Sequence, residues 1–427
     1  MRFRDLHINI KVRLLTRFLS ILVGATIFPF MSIYFTEKLG QAIAGVLMLS
    51  TVITTVIISF YGGFLADRIG RRKVMIMSQS VLLGAYSVMT IANSEWLDSA
   101  WLTYAMLLVQ SVGTGMLFPA VDAMIIDVTN QENRRYVYSL NYWSINLAMS
   151  IGALGGGFLF QTHRFELFLL FTCVHVLTLI MFVLFMTESH QTKRNEQVRN
   201  KAVWKDLLQS YRLVAKDRTF LFFCLAVLLG NALLNQKTYY IAVRLQQEFG
   251  SQLLNVANWF SLKIDGIRMV GIMQTENTIL VAMGMLFVTK WIKRFSDSLV
   301  LRTGVFLYMI GFAALGSSNG LWILLLAVFV VTCGELLLTP VSQSVIADLV
   351  NDEARGSYMA VYGLVGHGGR LLGAGGILVG VLVPSWMMSG LYVLIGIFML
   401  CLFHYVLKQR QQKNETDAAS HNTPLPV

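Results

Sequence analysis

Apolar runs of about 20 residues, the length a helix needs to cross a bilayer, recur twelve times along this chain. They lie near 15–36, 42–66, 74–93, 99–126, 136–160 and 165–186, and then near 219–243, 270–292, 299–317, 321–347, 357–382 and 385–407. Backbone inside hydrocarbon must satisfy its own hydrogen bonds, so runs of this length specify helices. Only 13% of the residues are charged and mean hydropathy is +0.62, whereas a soluble protein carries roughly 25% charge. Disorder, a fibre and a conventional soluble enzyme are excluded. The basic segment Met1–Arg17 precedes an apolar run too long for a signal peptide, and no small-residue cleavage site follows. The 244–269 stretch is polar and aromatic (Asn255, Asn258, Trp259, Lys263, Asp265, Arg268), and an external loop or partial helix is expected there.

The net charge of +11 would suggest nucleic acid in a soluble protein. Here it follows topology. Twelve spans put both termini on one side. Of 34 Lys and Arg residues, 27 fall on that side and 5 on the other, with Lys237 and Arg370 inside spans. The positive-inside rule makes the basic side cytoplasmic. A multi-pass protein of the cell membrane with both termini inside is expected, without a nucleic-acid partner. The cysteines Cys173, Cys224, Cys333 and Cys401 stand alone in apolar runs, and neither disulfides nor a metal site are expected.

The chain repeats at an offset of 221 residues. Pro119, Asp127, Asn130, Glu132 and Arg134 return as Pro340, Asp348, Asn351, Glu353 and Arg355. Gly113 returns as Gly334, and Arg72–Lys73 as the basic pair Lys293–Arg294. A five-residue polar pattern in register is hard to attribute to chance, so the two sets of six spans read as parallel copies, an architecture of secondary transporters. The expected fold is all-α, twelve transmembrane helices in two pseudo-symmetric six-helix bundles. The bundles would occupy 1–187 and 219–408, joined by a charged linker at 188–218 and followed by a disordered tail at 409–427. The copies diverge where chemistry is expected: Asp67 maps to Val288, Asp122 to Gln343, Asn141 to Tyr362, and Glu335 to Thr114.

Residues 63–73 read Gly-Phe-Leu-Ala-Asp-Arg-Ile-Gly-Arg-Arg-Lys. This segment resembles the G-x-L-a-D-r-x-G-r-k motif of the major facilitator superfamily. The resemblance makes Gly63, Asp67, Arg68, Gly70, Arg71 and Arg72 a cytoplasmic gate. Gly63 is expected to allow close helix packing. Gly152-Ala-Leu-Gly-Gly-Gly157 partly resembles the antiporter motif G-P-x-x-G-G, with Ala153 in place of Pro; Val109 stands where many exporters carry Arg. Further segments, among them 123–134, Asn141-Tyr-Trp143 and Gly334-Glu335, resemble the drug/proton antiporter group, in particular LmrP-type multidrug transporters. In that group, intramembrane carboxylates bind cationic drugs and carry protons.

A charge within the bilayer costs several kcal/mol, so each one needs a reason. Glu335, amid apolar residues of the tenth span, is the leading proton carrier; a structural pair with Arg370 is the alternative. Asp122, Asp127 and Glu276 complete the proton-coupling set, although repetition of Asp127 as Asp348 equally suits a gate. Asn141, Tyr142, Trp143, Asn146, Asn235, Gln236, Lys237, Tyr239 and Arg370 are the candidate substrate contacts. Amides and aromatics suit a bulky amphipathic ligand, but the same residues could bond neighbouring helices. His175 and His367 read as packed histidines, and Arg17 as snorkelling.

There is no Walker motif, G-x-S-x-G or H-E-x-x-H. An enzyme or ATP-driven pump is therefore not expected, and no cofactor is needed. The leading expectation is a monomeric, proton-coupled exporter of lipophilic cations by alternating access, with a small-molecule substrate, protons and membrane lipids as partners. Lys237 and Arg370 support an alternative, a narrow-substrate transporter of a sugar, peptide or metabolite. A non-transporting sensor is a third reading, disfavoured by the intact gate motif.

Overall fold

The computed structural model describes residues 6–129, 131–188, 212, 214–256, 260–350 and 355–421. Of the repeat, Asn130, Asn351 and Glu353 lie outside these residues, as does nearly all of the linker. The first span is α1 (Ile8–Gly24) and α2 (Met31–Leu39), joined by a 3-10 turn containing Pro29. Then follow α3 (Gln41–Ile69), α4 (Arg71–Ala92), α5 (Ala100–Asp127), α6 (Gln131–Leu159) and α7 (Arg164–Phe185). The second copy begins with α8 (Arg218–Gln236) and α9 (Tyr240–Glu248), again a divided span. It continues as α10 (Gly266–Trp291), α11 (Asp297–Ser317), α12 (Leu321–Leu349), α13 (Arg355–Leu382) and α14 (Ser385–His421). Among the described residues, ten of the twelve segments are long and apolar enough to cross a membrane. The other two, α6 and α10, carry Asn141 and Asn146, and Glu276 and Asn277.

Two features differ from the sequence expectation. Between α9 and α10 the chain forms an antiparallel hairpin, β1 (Gln252–Val256) on β2 (Phe260–Ile264), with Leu254 opposite Leu262. Among the described residues the hairpin is the exception to an all-α fold, and it occupies the stretch expected to be loop or partial helix. In addition, α14 runs to His421, through tail positions expected to be disordered. Ala418 and Ala419 favour helix, and Arg410 is tied down by ion pairs.

The chain forms two compact units. One comprises Met1–Arg194, Gln236–Ala282 and Ala374–Val383; the other comprises Asn195–Asn235, Met283–Gly373 and Pro384–Val427. In the first unit small residues set the packing. A Cβ at Gly152 would lie 2.2 Å from Leu22 O, and one at Gly156 would lie 2.6 Å from Thr26 O. The glycines of the antiporter-like segment therefore seat α6 against the first span. Gly63 has ordinary room, its Cβ position being 3.7 Å from Pro119. The close approach of α3 to α5 falls one residue earlier, where a Cβ on Gly62 would be 2.6 Å from Met116 Cα. The rings of Tyr86, Phe171 and His175 pack at tilted to edge-on angles with centroids 4.3–4.4 Å apart, and His175 is buried with Nδ1 2.9 Å from Phe171 O.

Candidate functional site

Gly70 adopts φ +98°, a left-handed conformation that breaks the chain between α3 and α4. The break leaves the first amides of α4 without helical acceptors. Glu188 fills the gap: Arg71 N and Arg72 N donate to its two carboxylate oxygens at 3.0 and 3.1 Å. A carboxylate at a helix N-terminus also meets the positive end of the helix dipole. Arg72 Nη2 donates to Val183 O at 2.6 Å. Arg71 lies between two acids, 3.3 Å from Asp67 and 2.6 Å from Asp127. Asp67, Gly70, Arg71 and Arg72 of the motif therefore form one cluster at the ends of α3, α4, α5 and α7, which Gly63 does not join. Asp127 belongs to that cluster. Glu188 was legible only as the start of a linker.

Asp122 sits in α5, three residues beyond Pro119. Its carboxylate is within electrostatic reach of Arg17 and Arg13 of α1. Arg13 is only 6% exposed, and its Nε has no hydrogen-bond partner among the described residues. Sequence reasoning counted Arg13 as one of the topological cations. Its i,i+4 spacing from Arg17 was the available signal that both share a helix face.

Glu276 is carried by α10. Its Oε2 is buried and has no hydrogen-bond partner among the described residues. The helix is held against α6: Thr275 Oγ1 donates to Ser150 O at 3.0 Å, and a Cβ at Gly271 would lie 2.7 Å from Ala153 O. Next to Glu276, Asn277 accepts a 2.9 Å hydrogen bond from Lys237 Nζ, and both residues are buried. The Lys237 ammonium thus has an amide acceptor, and it borders a small cavity with Pro29, Thr238 and Gln274.

In the second unit, Glu335 lies in α12 within electrostatic reach of the Tyr308 phenol. Tyr308 also borders a cavity of about 200 Å³, with Asn231, Ser342, Gln343, Tyr362 and Phe403 among others. Sequence reasoning did not single out this cavity. Arg370 Nη2 lies 2.7 Å from His367 Nδ1.

The candidate substrate contacts divide between the units. Asn141, Tyr142, Trp143, Asn146, Gln236, Lys237 and Tyr239 belong to the first, Asn235 and Arg370 to the second. Several amides bond their own helix: Asn146 Nδ2 donates to Tyr142 O, Asn235 Nδ2 to Asn231 O, and Asn231 Nδ2 to Val227 O, all at 2.8–2.9 Å. Gln236 is buried, and its side chain fills the space over Gly376. Tyr142 and Trp143 are exposed.

Residues 14–264 and 259–427 match the Major Facilitator Superfamily. The chain belongs to that family. It is a multi-pass membrane transporter. Among relatives, a Na(+), Li(+), K(+)/H(+) antiporter of Planococcus maritimus is 30% identical over 95% of this chain and 98% of its own length. Multidrug resistance protein MdtH of Sodalis glossinidius is 24% identical over 87% and 88%. A solved POT family transporter in complex with 5-aminolevulinic acid superposes with a TM-score of 0.71 at 13% identity, over 94% of this chain and 96% of its own. That last likeness bears on the fold of this Major Facilitator Superfamily protein alone.

Proposed function

We propose that this transporter is a cation/proton antiporter that exports lipophilic cations, with the basic loops and both termini in the cytoplasm. The observation that carries the reading is Glu276, a carboxylate with a buried oxygen that no described donor satisfies. Such a group is costly in a membrane helix unless protonated or facing a cation. It can therefore hold either a proton or a substrate charge, which is the exchange an antiporter needs. Glu335 and Asp122 are the further proton carriers, and Asp127, paired with Arg71, is assigned to the gate. Protonation would shift the balance between two packings of the helices. One charge crossing 100 mV contributes about 2.3 kcal/mol, to which a pH gradient adds.

A second reading, exchange of alkali cations for protons, is favoured by the name and full-length match of the Planococcus relative. Proteoliposomes with an imposed pH gradient separate the two. Proton release on adding ethidium, but not on adding Na⁺, K⁺ or Li⁺, supports drug export; the reverse supports alkali-cation exchange. Proton release with neither class would overturn cation/proton antiport. If Glu276→Gln retains full coupling, the assignment of Glu276 is wrong.

A further inference from the structure

Arg410 lies beyond the last apolar run, on the extension of α14. Its guanidinium reaches two carboxylates: Nη1 is 2.6 Å from Asp297 Oδ2, and Nη2 is paired with Asp348 Oδ2. Asp348 ends α12, and Asp297 opens α11. The arrangement parallels the first copy, where Arg71 lies between Asp67 and Asp127. Asp348 is the repeat counterpart of Asp127. Yet the counterparts of Asp67 and Arg71 are Val288 and Ile292. The second copy lacks both the cation and one acid of the cluster at the equivalent positions. Arg410, from outside the repeat, takes the place of the cation, and Asp297 that of the acid.

What the two clusters hold is also parallel. Pro119 lies inside α5 eight residues before Asp127, and Pro340 lies inside α12 eight residues before Asp348. Each proline removes a backbone hydrogen bond and leaves a place where the helix can bend. The segment beyond it is pinned at its far end by one arginine shared between two acids. In α12, Glu335 lies above Pro340, so the pinned segment adjoins the turn that carries Glu335.

We infer that the C-terminal extension is a working part of the transporter: Arg410 is a positioning residue that latches the end of α12 through Asp348 and Asp297. Charge-assisted pairs sharing one guanidinium are stronger and more directional than a lone ammonium contact. The pairs are partly exposed, with side-chain exposures of 21% for Arg410, 40% for Asp297 and 47% for Asp348. The latch is therefore weak enough to open within a cycle.

Amide hydrogen exchange on the full chain in lipid nanodiscs tests this without reference to substrate. Arg410→Ala, Asp348→Asn and a chain ending after Lys408 should each speed exchange at the end of α12 and the start of α11 by about five-fold. Exchange around residues 67–73 should not change. The exchanged set Arg410→Asp with Asp348→Arg and Asp297→Asn, the last removing the acid that would otherwise face the new carboxylate, should return exchange toward the wild-type rate, which a purely local loss of packing would not do. Wild-type exchange in Arg410→Ala, or no recovery in the exchanged set, overturns the latch. Proton-coupled efflux by the same samples is measured separately. Absence of efflux in the wild type would count against the functional proposal and leave the exchange result standing.

Discussion

Lys237 Nζ donates to Asn277 Oδ1 across 2.9 Å, on the residue next to Glu276. A buried ammonium and a carboxylate oxygen with no donor among the described residues thus lie on adjoining side chains of the first unit. The ammonium has an acceptor; that carboxylate oxygen has no described donor.

The Lys237–Asn277 bond should behave asymmetrically. Asn277→Ala removes an acceptor from a buried charge and should cost about 1.5–3 kcal/mol, read as a lower melting temperature in detergent. Lys237→Met removes the charge together with its demand for a partner and should cost less. Equal losses would mean that the bond does not matter to the fold.

Glu276→Gln is expected to leave stability unchanged or raise it, because it removes a buried charge without breaking a hydrogen bond among the described residues. Coupled proton release should be lost. Thermal unfolding and proteoliposome assays on one preparation check both halves; a large fall in stability would indicate a structural role.

At the crossing of α6 and α10, Gly271→Ala would place a Cβ 2.7 Å from Ala153 O and 3.0 Å from Gly157 Cα. Overpacking of this kind costs about 1–3 kcal/mol. Gly363, with nothing within 4 Å of its Cβ position, should accept alanine without that cost. Parallel melting curves of the two variants decide the point.

Glu188→Ala should cost about 0.5–2 kcal/mol, the range for a lost helix cap. Faster amide exchange should appear in the first turn of α4, at Arg71 and Arg72. Glu188→Asp is shorter by one methylene and should recover only part of the protection. Unchanged exchange in Glu188→Ala would show that the two amide bonds are dispensable.

Hydropathy located the spans because lipid imposes a length and a polarity on every crossing segment. The parallel copies were legible because Pro119 through Arg134 keep register with Pro340 through Arg355. Side chains that act through space were not legible. Arg13 counts as a basic residue near a terminus, whether it meets water or Asp122. Glu188 and Arg410 sit in polar sequence, and their partners are far along the chain: Arg71 is 117 positions from Glu188, and Asp348 is 62 from Arg410. The hairpin escaped notice because two five-residue strands between helices leave only a short polar and aromatic trace. Gly62 and Gly63 are indistinguishable by composition, and only the helix phase decides which one meets α5.

The cavity beside Tyr308 is bordered by phenols, hydroxyls, amides and apolar side chains, with no carboxylate, ammonium or guanidinium among its described lining residues. A guest there would be sorted by contour and by dipole, not by ionisation. Discrimination by charge then rests with single acids elsewhere in the chain. Under the proposed export of lipophilic cations, breadth of substrate range and ionic preference would be separable traits: substitutions around Asn231 and Tyr362 would reshape the first while leaving the second intact.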